Sequence, residues 1–243
     1  MTAAVQDAAP AWAVVVAAGQ GRRMGEGPAK QFRPLRGHPV LRWSLAALLE
    51  LKAIRRVALV LAPGVATPAL DLEADDAARL LRVDGGAERM DSVLCGLEAL
   101  AGAGAGEHDP VYVHDAARPC LSAAALRRLS VHAGHSEGAL LALPMTDTVK
   151  RAGEAASASY CAETLDRSTL WRAQTPQVFP LGTLTAALSA ARAQARLCSD
   201  EAQAMEWAGY RPRLVPGEAR NLKITTPEDL SLADWFLQQS VPA

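Results

Sequence analysis

Residues 12–31 read WAVVVAAGQGRRMGEGPAKQ, and the rest of the chain is arranged around them. Val14, Val15 and Val16 form an apolar, β-branched run that stops at small residues and glycines, the pattern of a buried strand. Gly19 and Gly21 then let the backbone turn tightly and approach a ligand. Successive N–H groups in such a turn form a concave anion site, and Arg22, Arg23 and Lys30 add charge-assisted hydrogen bonds. The stretch is suited to a polyphosphate held at the carboxyl end of a first strand, with backbone from Ala17, Ala18, Gly19 and Gly21 around it.

Spacing excludes the two commonest phosphate loops. A dinucleotide turn needs G-x-G-x-x-G and a Walker loop G-x-x-x-x-G-K-[ST]. Met24 stands where the third glycine belongs, Gly25 comes one residue late, and no Walker run occurs. The competing reading is a plain strand and turn with incidental surface arginines.

Outward from this loop, strand and helix patterns alternate. Residues 39–51 have helical spacing behind a proline, and 56–62 read as a second buried strand ended by Pro63 and Gly64. Residues 66–81 are Ala-rich and read as helix, 92–100 as helix, and 111–114 as a short strand. Ser122 opens a helix as its cap. Residues 139–144 read as a strand, 180–196 and 199–208 as helices, 213–215 as a short strand and 227–238 as a closing helix. This order predicts an α/β, Rossmann-like three-layer fold with a mostly parallel sheet and ligands at the strand carboxyl ends. One domain over 1–243 is expected. Residues 145–169 lack helical period, and a stretch that long inside a compact domain reads as an excursion with a task.

The chain has 243 residues, is 50% hydrophobic and 21% charged, and carries a formal net charge of −1. That composition gives no basic footprint for nucleic acid. No apolar run reaches membrane-spanning length, and the first eleven residues have neither a secretory nor a basic transit pattern. The 4 Cys show no metal spacing and read as free thiols of a reducing cytoplasm. Lysine is scarce: Lys30, Lys52, Lys150 and Lys223 are the only ones, and Lys30 and Lys223 sit in motif-like surroundings.

Three further motifs carry chemistry. Gly85-Gly86-Ala87-Glu88-Arg89-Met90-Asp91-Ser92-Val93 opens with paired glycines that offer close backbone approach to a flat base or ribose. Ser92 reads either as a base contact or as a helix cap. In Val113-His114-Asp115-Ala116-Ala117-Arg118-Pro119, a carboxylate straight after a buried strand suits hydrated Mg²⁺. Arg118 can pair with it or face phosphate, and His114 reads as an orienting or packing residue. Asn221-Leu222-Lys223-Ile224-Thr225-Thr226-Pro227-Glu228-Asp229-Leu230 combines a strand carrying Lys223 with a clean helix start at Thr226.

Together, A-A-G-x-G-x-R-M with its Lys-Gln pair, G-G-x-x-R-x-x-S-V, H-D-A-A-R-P and N-x-K-[VI]-T-x-P-x-D-L resemble the 2-C-methyl-D-erythritol 4-phosphate cytidylyltransferase family, in order from Val14 to Leu230. The resemblance implies transfer of a CMP unit from CTP to a sugar-alcohol phosphate, with in-line attack on the α-phosphorus and pyrophosphate leaving. It implies Arg23, Lys30 and Lys223 as the catalytic cations, Asp115 near the metal and both substrates, and cytosine recognition near Gly86 and by Ser92. The sugar phosphate would meet Arg118, Thr148, Arg167 and Thr175, with Thr148 and Arg167 donated by the neighbouring subunit of a homodimer through a β-arm over 145–169. Ser199-Asp200-Glu201-Ala202 resembles a family motif as well, but the preferred reading is a helix capped by Ser199, with Asp200 and Glu201 favoured by the helix dipole.

No covalent intermediate is expected, because such transfers need positioning and charge neutralisation. One departure stands out: Pro28-Ala29-Lys30-Gln31 where the family has Pro-Lys-Gln, which bears on loop stiffness. Two rivals are a ribitol 5-phosphate cytidylyltransferase and a non-catalytic nucleotide-binding regulatory protein. The chain ends soon after the closing helix, so no fused second enzyme is expected.

Overall fold

The computed structural model describes residues 10–19, 27–153 and 160–239. Eleven strands occur among them: β1 (Ala11–Val16), β2 (Pro34–Leu35), β3 (His38–Pro39), β4 (Ile54–Leu61), β5 (Leu80–Asp84), β6 (Pro110–Asp115), β7 (Ala139–Pro144), β8 (Val149–Ala152), β9 (Cys161–Leu165), β10 (Trp171–Pro180) and β11 (Arg213–Pro216). The α-helices are α1 (Val40–Leu49), α2 (Ala74–Ala78), α3 (Arg89–Gly102), α4 (Ala123–Ser130), α5 (Leu181–Ala193), α6 (Glu201–Trp207) and α7 (Pro227–Gln238).

Seven strands join in the order β11-β7-β10-β6-β1-β4-β5. All pairs are parallel except those of β10, which runs antiparallel to both β6 and β7. The sheet is therefore mostly parallel, as the alternation predicts. From β1 the chain first builds outward through β4 and β5, then returns to place β6 on the other side of β1. Ligands bind in the crevice where strand order reverses in this way, outside the strand carboxyl ends. Here that crevice lies beyond Val16 and Asp115.

Successive side chains of β1 point to opposite faces. Ala13 and Val15 join Leu41, Leu45 and Leu48 of α1 and Leu126 and Leu129 of α4. Val14 joins Val93 and Leu97 of α3 and Leu184 and Leu188 of α5. Helices thus cover both faces, which explains why the central strands read as continuous apolar runs. The closing helix α7 forms with its predicted bounds, its capping box pairing Thr226 with Asp229.

The structure corrects several element expectations. Residues 66–81 are not one helix: only Ala74–Ala78 is helical, and Leu80–Asp84 pairs in parallel with β4. Pro68 and the Leu-Asp alternation behind it outweigh the alanine propensity. Residues 171–177, which the sequence pattern assigns to no element, open β10, whose residues from Gln174 to Pro180 are buried between two strands. Its three buried polar side chains, Gln174, Thr175 and Gln177, hid a central strand. Lys223 lies on an extended loop rather than a strand, anchored where Ile224 N–H donates to Ala117 O at 2.8 Å. Within 145–169, β8 and β9 form an antiparallel, largely exposed hairpin with Val149 opposite Leu165. The excursion is thus a β-arm.

Candidate active site

The site begins at the end of β6. Asp115 is the last residue of a fully buried strand, and its side chain is 10% exposed at the sheet's rim. Three cations converge on it from separate segments. Lys223 Nζ lies 2.9 Å from Oδ2, Arg118 Nε lies 3.5 Å from Oδ2, and Arg89 donates through Nε and Nη2 to Oδ1 at 3.3 Å each. Burial disfavours the charged carboxylate, but Arg89, Lys223 and Arg118 together outweigh it and hold the group well below the usual carboxylate range.

Two clefts meet at this cluster. The first is lined by Ala17, Ala18 and Gly19 after β1, by Lys30, by Gly86 and Ser92 after β5, and by Asp115 and Lys223. These are the sequence-expected nucleotide residues, brought together. The second is lined by Arg118, Thr175, Gln177, Ser199 and Asp200. Arg89, Asp115 and Lys223 line both. Of the remaining expected residues, Thr148 and Arg167 lie exposed on the arm and line neither cleft; Arg167 donates to the Thr146 carbonyl. Gly21 and Arg23 lie outside the described residues, as do Arg22 and Met24.

The first cleft is shaped by contacts that the sequence reading did not assign. Gln31 is buried, and its amide donates to Ala17 O at 2.7 Å and Gly19 O at 2.8 Å, so it pins the loop after β1. Gly85 allows the neighbouring loops to close: a Cβ there would stand 2.7 Å from Ser92 Oγ and 2.9 Å from Ala18 Cβ. Ser92 is not the helix start. Glu88 caps α3, with its N–H bonded to Asp91, and Ser92 sits one turn inside with its hydroxyl donating to Glu88 O at 3.1 Å.

Behind Asp115 runs a second unassigned layer. His114 is fully buried, and Nε2 lies 3.2 Å from Arg118 O, which can only accept, so Nε2 carries the proton. Nδ1 then accepts from the Thr175 hydroxyl at 3.0 Å, and that oxygen in turn accepts from Asp115 N–H at 3.0 Å. Burial pushes His114 down to about 4, which keeps it neutral in this role. Thr175, expected to meet the sugar phosphate, therefore directs its proton to His114. Asn221, fully buried, donates to Thr175 O at 2.8 Å, while its own carbonyl accepts from Arg118 Nη1 at 2.7 Å.

The first turn of α6 needs a correction too. Its cap is Asp200, which accepts from Gln203 N–H at 2.9 Å, and not Ser199. Glu201 does no capping; it is buried and grips Arg89. The Glu in S-D-E-A and the Arg in G-G-x-x-R were visible in sequence, but only tertiary pairing joins them.

Among the described residues no three His, Cys, Asp or Glu side chains are grouped to hold a metal. Asp115 alone could do so. Mg²⁺ commonly takes one or two carboxylates and completes its shell with water and substrate phosphate. Three cations around Asp115 would repel a lone dication, so the residues fit an ion that arrives with a triphosphate. Among the described residues no helix is long and apolar enough to cross a membrane.

Comparison with known proteins agrees with this geometry. The sequence model described as IspD, 2-C-methyl-D-erythritol 4-phosphate cytidylyltransferase, matches residues 11–239. The enzyme of that name from Ralstonia nicotianae is 47% identical over 240 residues, spanning 95% of this chain and 93% of the relative. The one from Halorhodospira halophila is 51% identical over 227 residues, 91% of each chain. The crystal structure of the Thermus thermophilus enzyme superposes with a TM-score of 0.77 at 33% identity, covering 94% of this chain and 99% of that one. On sequence and on fold, the chain belongs to the 2-C-methyl-D-erythritol 4-phosphate cytidylyltransferase family.

Proposed function

We propose that this chain transfers CMP from CTP to 2-C-methyl-D-erythritol 4-phosphate. A substrate phosphate oxygen forms a bond to the α-phosphorus of CTP, the α–β bridging bond breaks, and pyrophosphate leaves. The observation that carries this reading is the placement of Asp115 and Lys223 on the wall shared by two adjoining clefts, which puts two substrates on either side of one charge cluster.

The backbone of Ala17 to Gly19, pinned by Gln31, receives the nucleotide, and Lys30 faces its phosphates; the family resemblance assigns Arg23 to the same phosphates. Gly86 and Ser92 border the base. Lys223 exchanges Asp115 for the α-phosphate and stabilises the charge that spreads in transfer. Arg118 and the α6 start face the polyol phosphate. Asp115 would hold a divalent ion such as Mg²⁺, which when bound neutralises triphosphate charge.

The reading includes a homodimer in which Thr148 and Arg167 reach the neighbour's second cleft. The exposed arm supports it, with Tyr160 67% and Trp171 39% exposed near its ends. A cytoplasmic location is supported by four free cysteines.

Pyrophosphate release with CTP and Mg²⁺ tests the assignment, comparing methylerythritol phosphate with ribitol 5-phosphate as acceptor. Turnover with methylerythritol phosphate is expected. Turnover with ribitol phosphate alone, or with neither, would overturn it.

A further inference from the structure

We propose that Glu201 is a positioning residue for the transfer: it grips Arg89 and thereby fixes how the Asp115 carboxylate faces the seam between the two clefts. The inference rests on the cytidylyl-transfer reading.

Glu201 opens α6, yet its side chain is fully buried. A buried carboxylate needs a partner. Arg89 supplies one as a fork, with Nη1 to Oε1 at 2.5 Å and Nη2 to Oε2 at 3.1 Å. The same guanidinium reaches Asp115 Oδ1 through Nε and Nη2. Arg89 therefore spans two carboxylates and lines both clefts.

The second carboxylate has a consequence for the site. Held from behind by Glu201, Arg89 covers Oδ1 only. Oδ2 is left facing Lys223 at 2.9 Å and Arg118 at 3.5 Å, where phosphate or a metal would meet it. Released from Glu201, the guanidinium would be free to turn toward an incoming triphosphate and hold it in place of Lys223.

The position of Glu201 is itself fixed from the sheet. Gln177 on β10 donates to Asp200 Oδ2 at 2.9 Å and accepts from Ala202 N–H at 2.8 Å. The helix cap accounts for Asp200; it does not account for an inward-facing Glu201.

The test uses the full chain with Glu201→Gln, Glu201→Asp and, as a control, Glu206→Gln on the exposed side of the same helix. Thermal melting, calorimetric CTP binding without divalent ion, and steady-state transfer are measured on each. For Glu201→Gln, kcat is expected to fall roughly 10–100-fold, the usual effect of removing a partner that orients a site ligand. CTP is expected to bind as tightly as in wild type or tighter, and Glu201→Asp to recover part of the rate. Glu206→Gln should match wild type. Wild-type kcat in a folded Glu201→Gln enzyme, or a loss that only tracks the folded fraction, would overturn the proposal. If Glu201→Gln does not fold, Glu201→Asp decides: a lowered kcat at full folding supports it, and an unchanged kcat overturns it. Absence of transfer in wild type would refute the functional reading instead.

Discussion

Lys223 Nζ lies 2.9 Å from Asp115 Oδ2, although the lysine arrives on the last loop of the described chain and the aspartate ends a central strand. The lysine side chain is 36% exposed, so the pair can be exchanged for a more highly charged partner. A triphosphate offers that partner. Lys223→Ala is expected to lower kcat/KM for CTP roughly 10²–10³-fold, the scale of losing one aimed charge in a transfer site. Arg89 and Arg118 still face Asp115, so the unfolding free energy should change by no more than about 1 kcal/mol. Lys223→Arg should not restore the rate, because a planar fork does not replace a point charge. Steady-state kinetics and urea melts check both, and a wild-type rate in the alanine variant would take Lys223 out of the machinery.

Gln31 carries the loop after β1 on two hydrogen bonds, to Ala17 O and Gly19 O. Gln31→Ala would strand buried carbonyl groups at a cost of about 1–3 kcal/mol. The expected result is a lower urea midpoint together with a raised KM for CTP. Gln31→Glu should be as harmful, since it turns a donor into an acceptor facing two carbonyls. A KM unchanged in both variants would mean that the loop holds its shape without this residue.

His114 gives the stability a pH dependence of known sign. Burial holds the folded pKa at about 4, below the ordinary histidine value of ~6.5, so the unfolded chain binds the extra proton. The contribution is fully present above ~6.5 and is lost as pH falls toward 4, up to about 3 kcal/mol. Asp115, held well below the usual carboxylate range, adds its own loss only below about 4. Urea titrations between pH 7.5 and 4 should show the decline, and His114→Gln should flatten it over that window. An identical slope in the variant would place the proton elsewhere.

Two glycines, Gly19 in the first cleft and Gly85 packed behind its wall, should respond in opposite ways. A Cβ on Gly85 would meet Ser92 Oγ at 2.7 Å and Ala18 Cβ at 2.9 Å, whereas nothing lies within 4 Å of one on Gly19. Gly85→Ala is expected to cost about 1–3 kcal/mol by overpacking and to weaken CTP binding. Gly19→Ala should leave folding unchanged and act only on the KM for CTP. Equal melting temperatures for the two would contradict the packing around Gly85.

Much of this was legible in the chain. The valine run of β1 and the capped start of α7 are local patterns, and both formed as the sequence predicts. Asp115, Lys30 and Lys223 stood out because charges beside a buried strand or among scarce lysines need a reason. The rest was hidden for one physical cause: its partners are distant in sequence. Gln31 looks like any polar residue until Ala17 O is beside it, and Arg89 looks solvated until Glu201 arrives from a helix over a hundred positions later. β10 stayed hidden because its buried Gln174, Thr175 and Gln177 break the apolar pattern; each is satisfied by a hydrogen bond that only the fold supplies.

Thr148 and Arg167 are exposed on the arm and line neither cleft of their own chain, so a mixing experiment can locate the site they serve. Lys223→Ala disables the body of a site and Arg167→Ala disables an arm. In a two-fold dimer with exchanged arms, a hybrid of the two variants has one site with both defects and one site with neither. Equal mixing after co-refolding makes half of the dimers hybrid, so up to about a quarter of wild-type activity should return. If each arm served its own body, every site would keep one defect and mixing would restore nothing. Sedimentation of the separate variants at the assay concentration should show dimers in both cases, which separates loss of assembly from loss of the contributed cation.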